Sequence, residues 1–149
     1  MISNYQYTGG ARWTSDRRGV ATAEGVGQTM EFASPPEFQG EAGLWTPEHF
    51  LVVSVAACFV TTFLAIAEIS KFRAHTLQVS AEGTVEKGDG GFQFTKIVVR
   101  PVLEIEREAD RERALRLLEK AERSCLVTRS LHSEVILEPT VIARASVAA

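Results

Sequence analysis

Cysteine is scarce in this chain: two in 149 residues, Cys58 and Cys125, with no Cys-x-x-Cys pair. That excludes a disulfide framework and a zinc finger. Histidine is as thin. His49, His75 and His132 are scattered without metal-ligand spacing, so they read as structural or surface residues and no metal is expected. A basic excess is also missing. Sixteen Lys and Arg stand against nineteen Asp and Glu, a formal charge of −3, which leaves no footprint for nucleic acid or an acidic lipid surface. Residues 1–10 hold neither a basic stretch nor an apolar run, so no secretory signal is expected and a cytoplasmic setting is. No nucleotide fingerprint or serine triad occurs, and Gly88-Asp89-Gly90-Gly91 precedes no helical pattern, so it reads as a hairpin turn rather than a phosphate loop.

What is present has the balance of a globular protein, 45% hydrophobic and 23% charged, and the length of one domain over residues 1–149. Such a chain buries a core without staples. Residues 5–33 have β texture, with turns at Asp16-Arg17-Arg18-Gly19 and Glu24-Gly25. A loop follows between Ser34-Pro35-Pro36 and Gly40-Glu41-Ala42-Gly43. Thr46, Pro47 and Glu48 then open a helix over about 47–70, as N-cap, first helical residue and first-turn anion. Of residues 50–69, sixteen of twenty are apolar. At about 36 Å this helix could cross a membrane. Three mid-span hydroxyls and flanks without basic anchors favour instead a helix buried on all sides. One layer of sheet covers one side only, so a partner subunit is the economical cover for the rest. Residues 76–86 and 92–106 read as a long hairpin, with a bulge or edge position expected at Pro101. Asp110 is expected to cap a second helix to about Ser124, and one strand over 134–144 closes the chain. The order β-β-β-α-β-β-α-β is an α+β fold.

Cys58 lies in the middle of the long helix, with Ser54, Thr61 and Thr62 at helical spacing on its side. Two readings stand side by side. The thiol is a small core hydrophobe among back-bonded hydroxyls, or it is a reactive group. Cys125 follows the second helix in register with Ala114, Leu118 and Ala121 and points inward. A reactive thiol must be a thiolate, and a mid-helix site gets no help from a helix N-terminus, so a cation has to come from elsewhere. Arg17-Arg18 is the most concentrated positive charge in the N-terminal half, and Glu48 could clamp a guanidinium or simply complement the helix dipole. Glu112/Arg116 and Glu119/Arg123 mark a solvated face.

Trp45-Thr46-Pro47-Glu48-His49-Phe50-Leu51 running into Ala56-Ala57-Cys58-Phe59 resembles the NPEELL…AACF segment of the OsmC/Ohr family. Ala121-Glu122-Arg123-Ser124-Cys125-Leu126-Val127-Thr128 resembles its second cysteine motif, KAxxxCPVS. The likeness covers about residues 5–140. It implies an intertwined α+β homodimer and a thiol-dependent peroxidase acting on organic hydroperoxides with an external dithiol as reductant and no cofactor. It further implies that Cys58 is the peroxidatic cysteine and Cys125 the resolving one. Glu48 matches the glutamate that holds the family's active-site arginine, which falls on Arg18, with Arg17 one step away. Two positions depart from the pattern: Glu37 precedes Phe38-Gln39-Gly40 where the OsmC branch has an arginine, and Leu126 replaces the usual proline. The chain resembles an OsmC-like side branch. A rival reading is a non-catalytic dimer that keeps the fold and binds a small apolar molecule at its interface. Ten helical residues separate Glu48 from Cys58, about 15 Å, so one arginine cannot serve both within a chain. Antiparallel pairing of two such helices would instead form sites composed from both chains.

Overall fold

The runs and turns near the N-terminus become a three-stranded antiparallel sheet in the computed structural model, which describes residues 2–144. Its strands are β1 (Gly9–Ser15), β2 (Arg18–Ala23) and β3 (Met30–Ala33), in the order β1-β2-β3. Asp16 turns the first hairpin in the left-handed region (φ 46°), a conformation aspartate tolerates, and so makes Arg18 the first residue of β2. Gly19 lies beneath the Phe32 ring, where a Cβ would stand 2.6 Å from a ring carbon. The chain divides into two compact units, residues 1–51 and 52–149. Met1 and residues 145–149 lie outside the described part.

The first unit ends in the opening turn of α1 (Pro47–Ile69). His49 N–H donates to Thr46 Oγ1 (3.0 Å), and Thr46 N–H donates back to His49 Nδ1 (3.2 Å). This is a capping box with histidine in the place usually held by Glu or Gln. Trp45 stacks on Phe50 at 5.9 Å, and its carbonyl accepts the Ala33 N–H, which ties the helix start to β3. Thr46→Ala should therefore cost about 1 kcal/mol of stability, read as a lower urea midpoint at unchanged slope.

In the second unit α1 turns Val55, Phe59, Phe63, Ile66 and Ala67 inward. It is not buried on all sides within the chain. Val53 (45% exposed) and Leu64 (51%) lie open. The helix is long and apolar enough to cross a membrane, but one side of it is core. The hairpin forms as expected from β4 (Ala74–Gly88) and β5 (Gly91–Ile105), turning through Gly91 at φ 110°.

The last strand is two strands. β6 (Glu134–Leu137) and β7 (Thr140–Ala143) both run parallel to β5 on the edge away from β4, separated by Glu138-Pro139. Pro101 consequently sits neither at a bulge nor on an edge strand. β5 is central, and its bulge lies opposite Thr84/Val85. The carbonyls of Val99 and Ile105 accept from Glu138 and Arg144, so by alternation residue 101 faces the same seam, where β6 has ended and β7 has not begun. A missing N–H costs nothing there. Between β5 and β6 runs α2 (Arg111–Ser124), with Ala114, Leu117, Leu118 and Ala121 buried. Asp110 occupies its N-cap position without capping it: the carboxylate turns to Arg107 (3.4 Å) instead. A further turn the sequence did not announce, α3 (Leu126–Arg129), follows directly after Cys125.

Candidate active site

Cys58 lies in the fourth turn of α1 and is half-buried, while Cys125, at the joint between α2 and α3, is 1% exposed. Both are free thiols, and the Cys125 side chain hydrogen-bonds to that of Cys58. The two cysteines singled out in the sequence are thus brought together across 67 residues of chain. Of the three hydroxyls on that side of the helix, Thr62 Oγ1 stands 3.7 Å from Cys58 Sγ, while Thr61 Oγ1 donates to the Cys58 carbonyl (3.1 Å).

The two thiols are tuned in opposite directions. Burial pushes the Cys58 thiol up, but the Val127 amide, Cys125, Thr62 and the Leu126 amide outweigh it, and the net shift is downward. Cys125 goes the other way: burial raises it first, and although Thr128 opposes this, the neighbouring Cys58 adds to the rise. Of the pair, Cys58 is the one disposed to ionise. Its stabilisers in the second unit are backbone N–H groups and neutral side chains, not the cation that a mid-helix thiol was expected to need. Sequence reasoning missed these amides because nothing between Ser124 and Val127, neither glycine nor proline, marks where one helix stops and another turn starts.

Within residues 1–51, Arg18 is half-buried and pairs with Glu41 (Nε–Oε2 3.3 Å). The expected Arg18–Glu48 clamp is not formed there. The physical reason is the loop ahead of Glu41. Gly40 N–H donates to Pro35 O (3.1 Å), so tightly that a Cβ on Gly40 would sit 1.5 Å from the Ser34 carbonyl oxygen. That closure brings Glu41 to the start of β2. Among the described residues Glu48 finds no hydrogen-bond partner for its buried Oε1. Arg17 is exposed, and both arginines line two open cavities. One, of about 510 Å³, is walled by Trp13 and Phe32, and the other, of about 300 Å³, by Asp16 and Glu41. His49 is spent on the helix cap, and the described residues hold no His/Cys/Asp/Glu cluster fit for a metal ion.

The sequence pattern of the OsmC-like protein family matches residues 40–140. An uncharacterised protein of Bacillus subtilis, YmaD, is 30% identical over 131 residues, 86% of this chain and 87% of its own length. Peroxiredoxin OsmC of Escherichia coli is 28% identical over 134 residues, 87% of this chain and 92% of its own. Among solved structures, an OsmC-like protein of unknown function from Vibrio cholerae superposes with TM-score 0.80 at 19% identity, covering 91% of this chain and 99% of that one. An organic hydroperoxide resistance protein from Elizabethkingia anophelis gives 0.77 at 20% identity, covering 97% and 100%. The α+β fold is that of these structures.

Proposed function

The chain belongs to the OsmC-like family, and on that premise we propose that it is a thiol-dependent peroxidase that reduces organic hydroperoxides to alcohols. The observation that carries this reading is the cysteine pair: two hydrogen-bonded thiols, one shifted toward the thiolate and the other away from it. The Cys58 thiolate attacks the terminal oxygen of ROOH. The O–O bond breaks, an S–O bond forms, the alkoxide leaves and takes a proton as ROH, and Cys58 becomes a sulfenic acid. The Cys125 thiol then displaces water from that sulfenic acid, giving a Cys58–Cys125 disulfide. An external dithiol returns both thiols and is itself oxidised to a disulfide. The upward shift that keeps Cys125 protonated suits this order, since a resolving thiol has no need to be ionised before the sulfenic acid forms. The apolar run of α1 that carries Cys58 favours alkyl over hydrogen peroxide.

The working form in this reading is a cytoplasmic homodimer. The open Val53 and Leu64 face of α1 needs a cover, and the unpartnered buried oxygen of Glu48 needs a cation. Arg18 is the candidate cation, leaving Glu41 for Glu48, with Arg17 beside it. The test is consumption of cumene hydroperoxide with a dithiol present. Turnover well above the protein-free rate supports the reading, and none at all defeats it. Cys125→Ser should be oxidised once and stall as a sulfenic acid that dimedone traps at Cys58. Mass spectrometry of peroxide-treated wild type should show the intramolecular disulfide instead. If both thiols stay titratable after peroxide, Cys125 is not the resolving residue.

A further inference from the structure

The C-terminal end of α1 closes with three backbone bonds: Ser70 N–H to Ile66 O (2.9 Å), Lys71 N–H to Glu68 O (3.1 Å) and Phe72 N–H to Ala67 O (2.8 Å). Lys71 takes the left-handed conformation (φ 54°) that this kind of ending uses. The Ser70 carbonyl lies beyond these bonds, and Arg113 of α2 supplies its donor. Nη2 donates to Ser70 O, and the guanidinium carbon stands 5.3 Å from the centre of the buried Phe72 ring. Arg113 suits α1 better than its own helix. It occupies the first turn of α2, where the dipole favours an anion, and brings its charge to the end of α1, whose last turn holds no basic residue.

Ser70 lies twelve residues beyond Cys58, and Arg113 lies twelve before Cys125, about 18 Å of helix in each case. The Arg113–Ser70 contact and the two thiols are therefore the opposite ends of one antiparallel span, matched in length on α1 and α2. Between those ends α2 buries Ala114, Leu117, Leu118 and Ala121. Apolar burial is non-directional: it presses the helix down without fixing how far it has slid along its axis. A donor on one carbonyl, with a ring beneath the cation, does fix it. Arg111 anchors the same turn of α2 to the sheet, through Val141 O of β7 (2.6 Å), whereas Arg113 anchors it to the helix that carries Cys58. Resting on the reading of Cys58 and Cys125 as peroxidatic and resolving thiols, we propose that Arg113 is a positioning residue for the resolving step: through Ser70 and Phe72 it sets the register of α2 against α1, and so keeps Cys125 within reach of the Cys58 sulfenic acid. In that step the Cys125 sulfur displaces water and the two sulfurs must close to about 2 Å. Attack on a freely diffusing peroxide imposes no such condition on α2.

The thiol pair can be read without peroxide. Reduced protein is equilibrated with glutathione and glutathione disulfide at graded ratios, where each pair that closes consumes one glutathione disulfide and releases two glutathiones. Alkylation and mass spectrometry then give the fraction of Cys58–Cys125 disulfide. Arg113→Met keeps an apolar chain over Phe72 but has neither donor nor charge. It should need a buffer roughly tenfold more oxidising to reach half disulfide. Arg113→Lys, which keeps a donor and the cation, should recover most of that shift. After one equivalent of cumene hydroperoxide, dimedone should trap several-fold more Cys58 sulfenic acid in Arg113→Met than in wild type. A residue that only stabilises the fold would lower the urea midpoint and leave the redox midpoint in place. That result overturns the proposal, and so does an Arg113→Lys protein shifted as far as Arg113→Met. Should Arg113→Met fail to fold, the wild type decides by itself. Coupling is reciprocal, so closing the disulfide must slow hydrogen exchange of the Arg113 guanidinium, and exchange equal in both redox states overturns the assignment. A protein that ignores cumene hydroperoxide fails the peroxidase reading, whereas an unmoved glutathione midpoint fails only this one.

Discussion

Cys58→Ser should bring organic hydroperoxide consumption down to the rate measured without protein, while the circular dichroism spectrum and thermal unfolding stay close to wild type. Serine is nearly the size of cysteine, and the half-buried pocket on that side of α1 already holds the Thr62 hydroxyl 3.7 Å from the sulfur. What the substitution removes is an ionisable atom. The amides of Val127 and Leu126 lower a thiol toward ionisation, but a serine hydroxyl stays protonated in the same place and cannot attack the O–O bond. The pH dependence has the same origin. Because the folded-state shift of Cys58 is downward, its reactivity with peroxide should persist below the pH at which an ordinary thiol loses it, and should fall only as Cys58 itself is protonated. Peroxide turnover in Cys58→Ser within a few-fold of wild type would remove the basis for the proposed chemistry.

The second large effect is complementation. Cys58→Ser and Glu48→Ala should each be inactive as pure homodimers. Denatured together and refolded, they should regain about a quarter of the wild-type activity. Half of the random pairs are mixed, and each mixed pair holds one site with both residues intact and one with neither. This outcome requires the active unit to draw its cysteines from one chain and Glu48 from the other. The motives are the helical distance, about 15 Å over ten residues, and the buried Glu48 oxygen that finds no partner among the described residues. Sedimentation velocity at micromolar concentration should show a dimer. A monomer there, or no activity in the mixture, ends the composite-site proposal and leaves the Cys58 and Cys125 chemistry untouched.

How far the sequence could be read depended on whether the deciding signal was local. The start of α1 was legible because Thr46, Pro47 and Glu48 act within one turn of each other, and the β4–β5 hairpin because alternation and Gly88-Asp89-Gly90-Gly91 point the same way. The inward direction of Cys125 followed from its register with Ala114, Leu118 and Ala121. Asp110 misled for a related reason: it holds the right position, but Arg107 three residues back competes for its carboxylate. The split between β6 and β7 was hidden because it depends on Pro101 and Pro139 together, residues far apart in sequence. The choice of Glu41 over Glu48 by Arg18 was hidden in the same way, since it rests on how closely the 34–40 loop folds back on itself. The amides around Cys58 left no trace in side-chain chemistry, because every residue but proline carries one.

Pro101 also bears on how the chain comes off the ribosome. β4 and β5 are complete by residue 105, whereas β6 and β7 are not available until residues 134–143 have been synthesised. Until then the far edge of β5, rich in Ile97, Val98 and Val99, offers a template to any passing strand. The proline divides that edge into two stretches of four ladder partners each, Lys96–Val99 and Val102–Ile105. A foreign strand laid along the whole edge would meet a ring in place of a donor at its middle, and β6 slipping towards the β7 seat would meet it too. A residue that costs the finished sheet nothing thus guards the half-made one against mispairing.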